Sequence, residues 1–102
     1  LALRDLKGSW REMAEMLASI KILPAEAGID LDPIKEEIRN SLPEDAKLYK
    51  MMEEPIAFGL VALIVHLILP EDNPEIMDKL EKALKLIKGI GEIQVLRMSR
   101  LS

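Results

Sequence analysis

The ten residues from Leu60 to Leu69, LVALIVHLIL, constrain this chain more than any others, because His66 is their one polar member. The run is too short to cross a bilayer, which takes about 20 apolar residues, and it suits a strand buried on both faces. A core helix of equal length is the competing reading. Val61, Ile64, Val65 and Ile68 are β-branched, and Gly59 and Pro70 bracket the run, so a central strand is favoured. Upstream, Pro55 and Gly59 mark a bend at the strand entrance. That bend carries Phe58 on backbone with little freedom to fold the ring away.

A strand this apolar needs cover, and the flanking segments supply it. From Leu17 to Leu23, Ala18, Ile20 and Ile22 alternate with Ser19 and Lys21, predicting a half-buried strand stopped by Pro24. Asp32-Pro33 reads as an N-cap followed by proline at the first helical position. Leu31, Ile34, Ile38 and Leu42 give that helix a narrow apolar stripe, closed by Pro43. Lys47 to Glu54 is a second strand. Its Leu48, Met51 and Met52 do not alternate cleanly, which predicts an edge position or a bulge.

After the turn at Glu71-Asp72, Asn73-Pro74 repeats the cap-and-proline device. Met77, Leu80, Ala83, Leu84 and Ile87 then recur at helical spacing. The outer face of this helix sets Glu75 against Lys79, Asp78 against Lys82 and Glu81 against Lys85, each four apart. Lys85 and Lys88 suit the negative helix end, and Gly89 or Gly91 would serve as the C-cap. Glu92 to Ser99 forms the last strand, with Arg100 and Leu101 beyond its main pairing.

Strand, helix, strand, strand, helix, strand is the order of the α+β ferredoxin-like βαββαβ sandwich, a four-stranded antiparallel sheet with two helices on one face. One sheet face is then open. Alternation assigns Val61, Leu63, Val65, Leu67 and Leu69 to the helices, and Ala62, Ile64, His66 and Ile68 to the open face. Ile64 and Ile68 are expected to be partly exposed there, hinting at a partner surface or self-association.

At 102 residues the chain is one domain. The absence of cysteine excludes disulfides, thiolate zinc sites and cysteine nucleophiles, and a single histidine excludes a multi-histidine metal site. A net charge of −4 argues against a surface that tracks nucleic-acid phosphates. No membrane span or signal peptide is visible, so the expected compartment is cytoplasmic. Residues 1–12, LALRDLKGSWRE, differ in character from the rest and hold Gly8-Ser9 at their middle. They are read as a leader or cloning-derived segment, the alternative being a short native helix with Leu3, Leu6 and Trp10 at spacings of three and four, and residues 13–102 as the functional domain.

Glu54-Pro55-Ile56-Ala57-Phe58-Gly59-Leu60, followed by Ala62-Leu63, resembles the signature of the elongation factor 1-beta exchange domain in its short archaeal form. The resemblance runs from about Ala18 to Leu101. It implies a guanine nucleotide exchange factor that promotes GDP release from the GTPase elongation factor 1-alpha during translation elongation. Pro55, Ile56, Ala57, Phe58 and Gly59 would be the partner-binding stretch, with the Phe58 ring reaching the partner's second domain. In this family the C-terminal tail ends in a basic residue followed by an apolar one, and it enters the partner's magnesium and phosphate region. Arg100-Leu101 match that pattern, with arginine where eukaryotic members usually carry lysine. Guanidinium is a planar fork and ammonium a compact point charge, so the exchange is not conservative. No enzyme chemistry, cofactor, metal or direct nucleic-acid contact is implied.

Blander readings stand beside these. Phe58 could fill a core bend, Arg100 could be a solvated terminal charge, and His66 reads as a surface or interface histidine. Met51 and Met52 are packing filler. Glu53 and Glu54 are adjacent on an extended chain and so point to opposite faces, which disqualifies them as paired catalytic carboxylates. Solvation and attraction to a basic partner fit them better. An alternative for the whole chain is a small regulatory or ligand-binding module that self-associates through its open sheet face. An RNA-recognition domain of the same topology is the weakest reading, because the strands lack an aromatic platform and the charge is wrong.

Overall fold

The computed structural model describes residues 15–71 and 73–101. Along the chain run β1 (Glu15–Pro24), α1 (Leu31–Ser41), β2 (Lys47–Ala57), β3 (Leu60–Pro70), α2 (Ile76–Lys85) and β4 (Ile90–Leu101). The strands form one antiparallel sheet in the order β2-β3-β1-β4. This is the ferredoxin-like α+β sandwich expected from the element order. The 1–12 segment assigned to a leader lies outside the described residues.

The apolar run becomes an interior strand, paired with β1 on one side and β2 on the other. Its Leu63, Val65, Leu67 and Leu69 meet Ala18, Ile20 and Ile22 of β1, Ile34 and Ile38 of α1, and Leu80 and Leu84 of α2 in one buried cluster. Removing each large side chain in that cluster from water contributes about 1.5–3 kcal/mol, and this is what fixes the helices to one face. β2 is an edge strand, as its uneven pattern predicted. A bulge between Leu48 and Lys50 accounts for the lost alternation, and it leaves Tyr49 exposed. Pro55 is tolerated because β2 is an edge, where a missing N–H interrupts no second ladder.

Several local expectations need correction. The N-cap of α1 is Asp30, whose side chain accepts a hydrogen bond from the Asp32 N–H. Pro33 therefore stands third in the helix, still within the first turn, where no intrahelical N–H is required. Asn73 does accept from the Glu75 N–H through Oδ1, but regular helix begins only at Ile76. The C-cap of α2 is Leu86 and not Gly89 or Gly91. Gly89 instead takes a φ of +99° in the turn that leads into β4. None of the three proposed lysine–carboxylate pairs on the outer face of α2 closes to an ion pair among the described residues. On this solvent-facing side of α2, pairing gains little over hydration of the separate charges.

The open face also differs from expectation. Ile64 is buried there at 6% exposure and Ala62 is fully buried, while Ile68 is half-buried. Ile64 sits between Lys21 of β1 and Met52 of β2. The Lys21–Glu54 ion pair, at 3.3 Å, passes across β3 at this level. One step along, Ser19 and His66 are cross-strand partners whose Oγ and Nδ1 lie 2.8 Å apart. Polar side chains thus bridge over the aliphatic ones, and the open face is less greasy than alternation alone implies.

Gly91 lies where β4 passes close to the backbone that follows β1. A Cβ there would lie 3.0 Å from the Ala25 Cα and 3.1 Å from the Pro24 carbonyl oxygen. Both are backbone atoms and have no rotamer in which to retreat. Gly91→Ala is expected to cost about 1–3 kcal/mol, read as a lowered urea midpoint at unchanged slope. An unshifted midpoint would show that the β1–β4 junction gives way freely.

Candidate functional site

β2 and β3 are joined by the tightest connection available to two strands. Ala57 pairs with Leu60, leaving only Phe58 and Gly59 in the loop. Both have positive φ, +53° and +80°, the combination that defines a type I′ hairpin turn. Glycine is at home in the second position. The first normally takes asparagine, aspartate or glycine, and a phenylalanine in left-handed backbone costs about 1–2 kcal/mol.

The ring of Phe58 gains nothing in return from its own chain, since it is 100% exposed. The reading of Phe58 as a core or bend-filling aromatic is therefore wrong. Ile56, in the irregularity between Pro55 and Ala57, is also exposed. Pro55, Ile56, Ala57, Phe58 and Gly59 are thus brought together as an apolar hairpin tip. A groove of about 280 Å³ opens beside Gly59, lined in part by Glu26, Asp30, Asp32 and Glu53. The flank of the tip is therefore acidic.

Glu53 and Glu54 do point to opposite faces, and neither is an unengaged charge awaiting a partner. Glu53 pairs with Lys35 of α1, and Glu54 with Lys21 of β1. Their local work is to tie the hairpin to the helix layer on one side and to the sheet on the other.

Arg100 and Leu101 are not at this site. They lie in the ladder, opposite Met16 and Glu15 of β1, and do not extend past it as the sequence predicted. The last strand is simply longer, because β1 itself begins at Glu15 and offers partners that far. Met16 in turn faces Leu69, at the far end of β3 from the hairpin. At about 3.3 Å per residue, the stretch from Leu60 to Leu69 separates the two ends by roughly 30 Å. The Arg100 guanidinium donates to the Glu71 carboxylate, while most of the arginine side chain stays exposed.

Two features of these regions escaped the sequence. The positive φ of Phe58 was hidden because Phe-Gly is not among the dipeptides that announce a hairpin. The two-residue gap between apolar runs was nonetheless a usable signal. Glu71, read only as a turn residue, turns out to be the partner of Arg100.

Among the described residues no helix is long and apolar enough to cross a membrane. The family profile of the EF-1 guanine nucleotide exchange domain matches residues 17–101. The chain is 39% identical over 89 residues to elongation factor 1-beta of Methanothermobacter thermautotrophicus, covering 87% of this chain and 99% of that protein. With elongation factor 1-beta of Staphylothermus marinus it shares 36% over 90 residues, covering 88% and 100%. The C-terminal domain of the MgtC protein from Mycobacterium tuberculosis, a solution structure, has the same fold. Its TM-score is 0.62 at 14% identity, covering 83% of this chain and 87% of that one. The hairpin stretch and the C-terminal strand both fall inside the matched region, and the chain belongs to the elongation factor 1-beta family of guanine nucleotide exchange domains.

Proposed function

We propose that this exchange factor divides its work between the two ends of its sheet. The hairpin tip, Pro55 to Gly59, docks on elongation factor 1-alpha. The Arg100-Leu101 end acts on the partner's magnesium and phosphate region, in the cytoplasm where translation runs. The single observation that carries this reading is Phe58: an aromatic ring held wholly in solvent by strained backbone. Strain retained without internal compensation is the mark of a residue kept for a partner.

Exchange needs no covalent catalyst. It needs an interface that binds the nucleotide-free GTPase more tightly than the nucleotide-bound one, and linkage then lowers the nucleotide's affinity by the same factor. Docking by Phe58 alone would bind both states alike and accelerate nothing. A cation competing for the magnesium position supplies the difference, since it meets the oxyanions that held the ion only once magnesium is displaced, and the nucleotide is then held less tightly. The roughly 30 Å between the ends matches a partner engaged at two separated places, and it keeps the tasks physically distinct.

The test compares binding with release. Arg100→Ala is expected to leave affinity for elongation factor 1-alpha within about threefold while cutting stimulated GDP release at least tenfold, because one charge-assisted contact has gone. Arg100→Lys separates charge from geometry. Retained release means that a positive charge suffices, and lost release implicates the guanidinium fork. Equal losses of affinity and release in Arg100→Ala would make the tail a docking element instead.

A further inference from the structure

We propose that Glu71 is the positioning residue of this exchange tail, holding Arg100 in the orientation in which its guanidinium meets an oxyanion of the partner's nucleotide site. The inference rests on the reading of Arg100 given above. It goes further in naming a second residue and a reason for the arginine.

Glu71 directly follows Pro70, the last residue of β3, and Pro70 is anchored opposite Glu15. Met16 stands between Leu69 on one side and Arg100 on the other, so β1 separates the carboxylate from the guanidinium and the ion pair crosses it. The two partners are unequally exposed. The Glu71 side chain is 27% exposed and the Arg100 side chain 69%. A carboxylate seated at the end of an interior strand thus holds a guanidinium that is presented outward.

An exposed arginine is spread over many rotamers, and a partner must freeze them to use it. One fixed contact removes part of that freedom beforehand. Nη2 donates to Glu71 Oε1, and a guanidinium has five N–H donors in a planar fork, so its other edge remains for a bidentate oxyanion contact. An ammonium in the same place would have its charge neutralised without being aimed. An exposed pair of this kind is weak, so it biases the Arg100 side chain toward one orientation and still yields to a partner.

The experiment measures maximal GDP release from elongation factor 1-alpha, the affinity of the complex and the melting temperature for a set of full-length variants. Glu71→Ala is expected to lower maximal release about fivefold, the worth of one pre-ordered side chain, with affinity and melting temperature unchanged. Glu71→Gln keeps the acceptor oxygen and should retain most of the rate, a rescue that general destabilisation would not show. In an Arg100→Ala background, Glu71→Ala should have no further effect. Losses that simply add, or a rate that rises in Glu71→Ala, overturn the proposal, the latter by making Glu71 a restraint. If Arg100→Ala alone releases GDP as fast as the parent, the tail reading and this inference fall together. A slow Arg100→Ala beside an undisturbed Glu71→Ala overturns only the inference.

Discussion

Phe58→Asn is expected to make the protein more stable and worse at its task. Asparagine tolerates left-handed backbone and favours the first position of a type I′ turn, where Phe58 sits at φ +53°. Relief of about 1 kcal/mol should raise the melting temperature by about 5 °C in a domain of this size. No packing is lost, because the ring is fully exposed. Affinity for elongation factor 1-alpha should fall by about 2 kcal/mol, or about 30-fold, the worth of an aromatic anchor buried in a partner's pocket. Phe58→Ala is the control: it removes the ring without relieving the turn, so affinity falls alike while melting barely moves. Thermal melts beside direct binding measurements check both. A less stable Asn variant would show that the ring or the turn contributes to the fold in a way its exposure conceals.

The other large effect belongs to the core. Leu67 is fully buried in the middle of β3, opposite Ala18 of β1 and Leu48 of β2. Leu67→Ala leaves a cavity between sheet and helices, and it should cost about 3 kcal/mol and lower the melting temperature by more than 10 °C. Leu86→Ala, at a position 86% exposed, should change little. Chemical denaturation read as free energies decides the matter. Near-equal costs at the two positions would mean that the packing around β3 is not what holds the helices to the sheet. Because β3 carries the proposed docking turn at one end and Glu71 just past the other, loosening it should impair both docking and release on this account.

The fold was legible because its strongest signals were simple ones. An apolar run bracketed by Gly59 and Pro70, the alternation of Ala18, Ile20 and Ile22, and two stripes at helical spacing leave few arrangements open. Boundaries were less legible, since they depend on partners. β4 continues to Leu101 because β1 starts early enough to meet it, and no local property of MSRL announces that. Asp30 outcompeted Asp32 as the cap of α1, a contest between neighbouring side chains that propensity does not settle. The aliphatic open face was overestimated because Lys21 and Glu54 are far apart in sequence, and only the register brings them together over β3. Phe58 was found through its surroundings and its family resemblance. Its positive φ is a property of the closed hairpin.

The division of labour between the two ends is tested most directly by the rate of GDP release from elongation factor 1-alpha as each variant is titrated to saturation. Phe58→Ala should need about 30-fold more protein to reach half-maximal rate but attain the parent's maximum, because the releasing end is intact. Arg100→Ala should saturate at nearly the parent's concentration and level off at least tenfold lower. The opposite pattern, or two variants with indistinguishable curves, would contradict the account: docking and release would then not reside at opposite ends of the sheet.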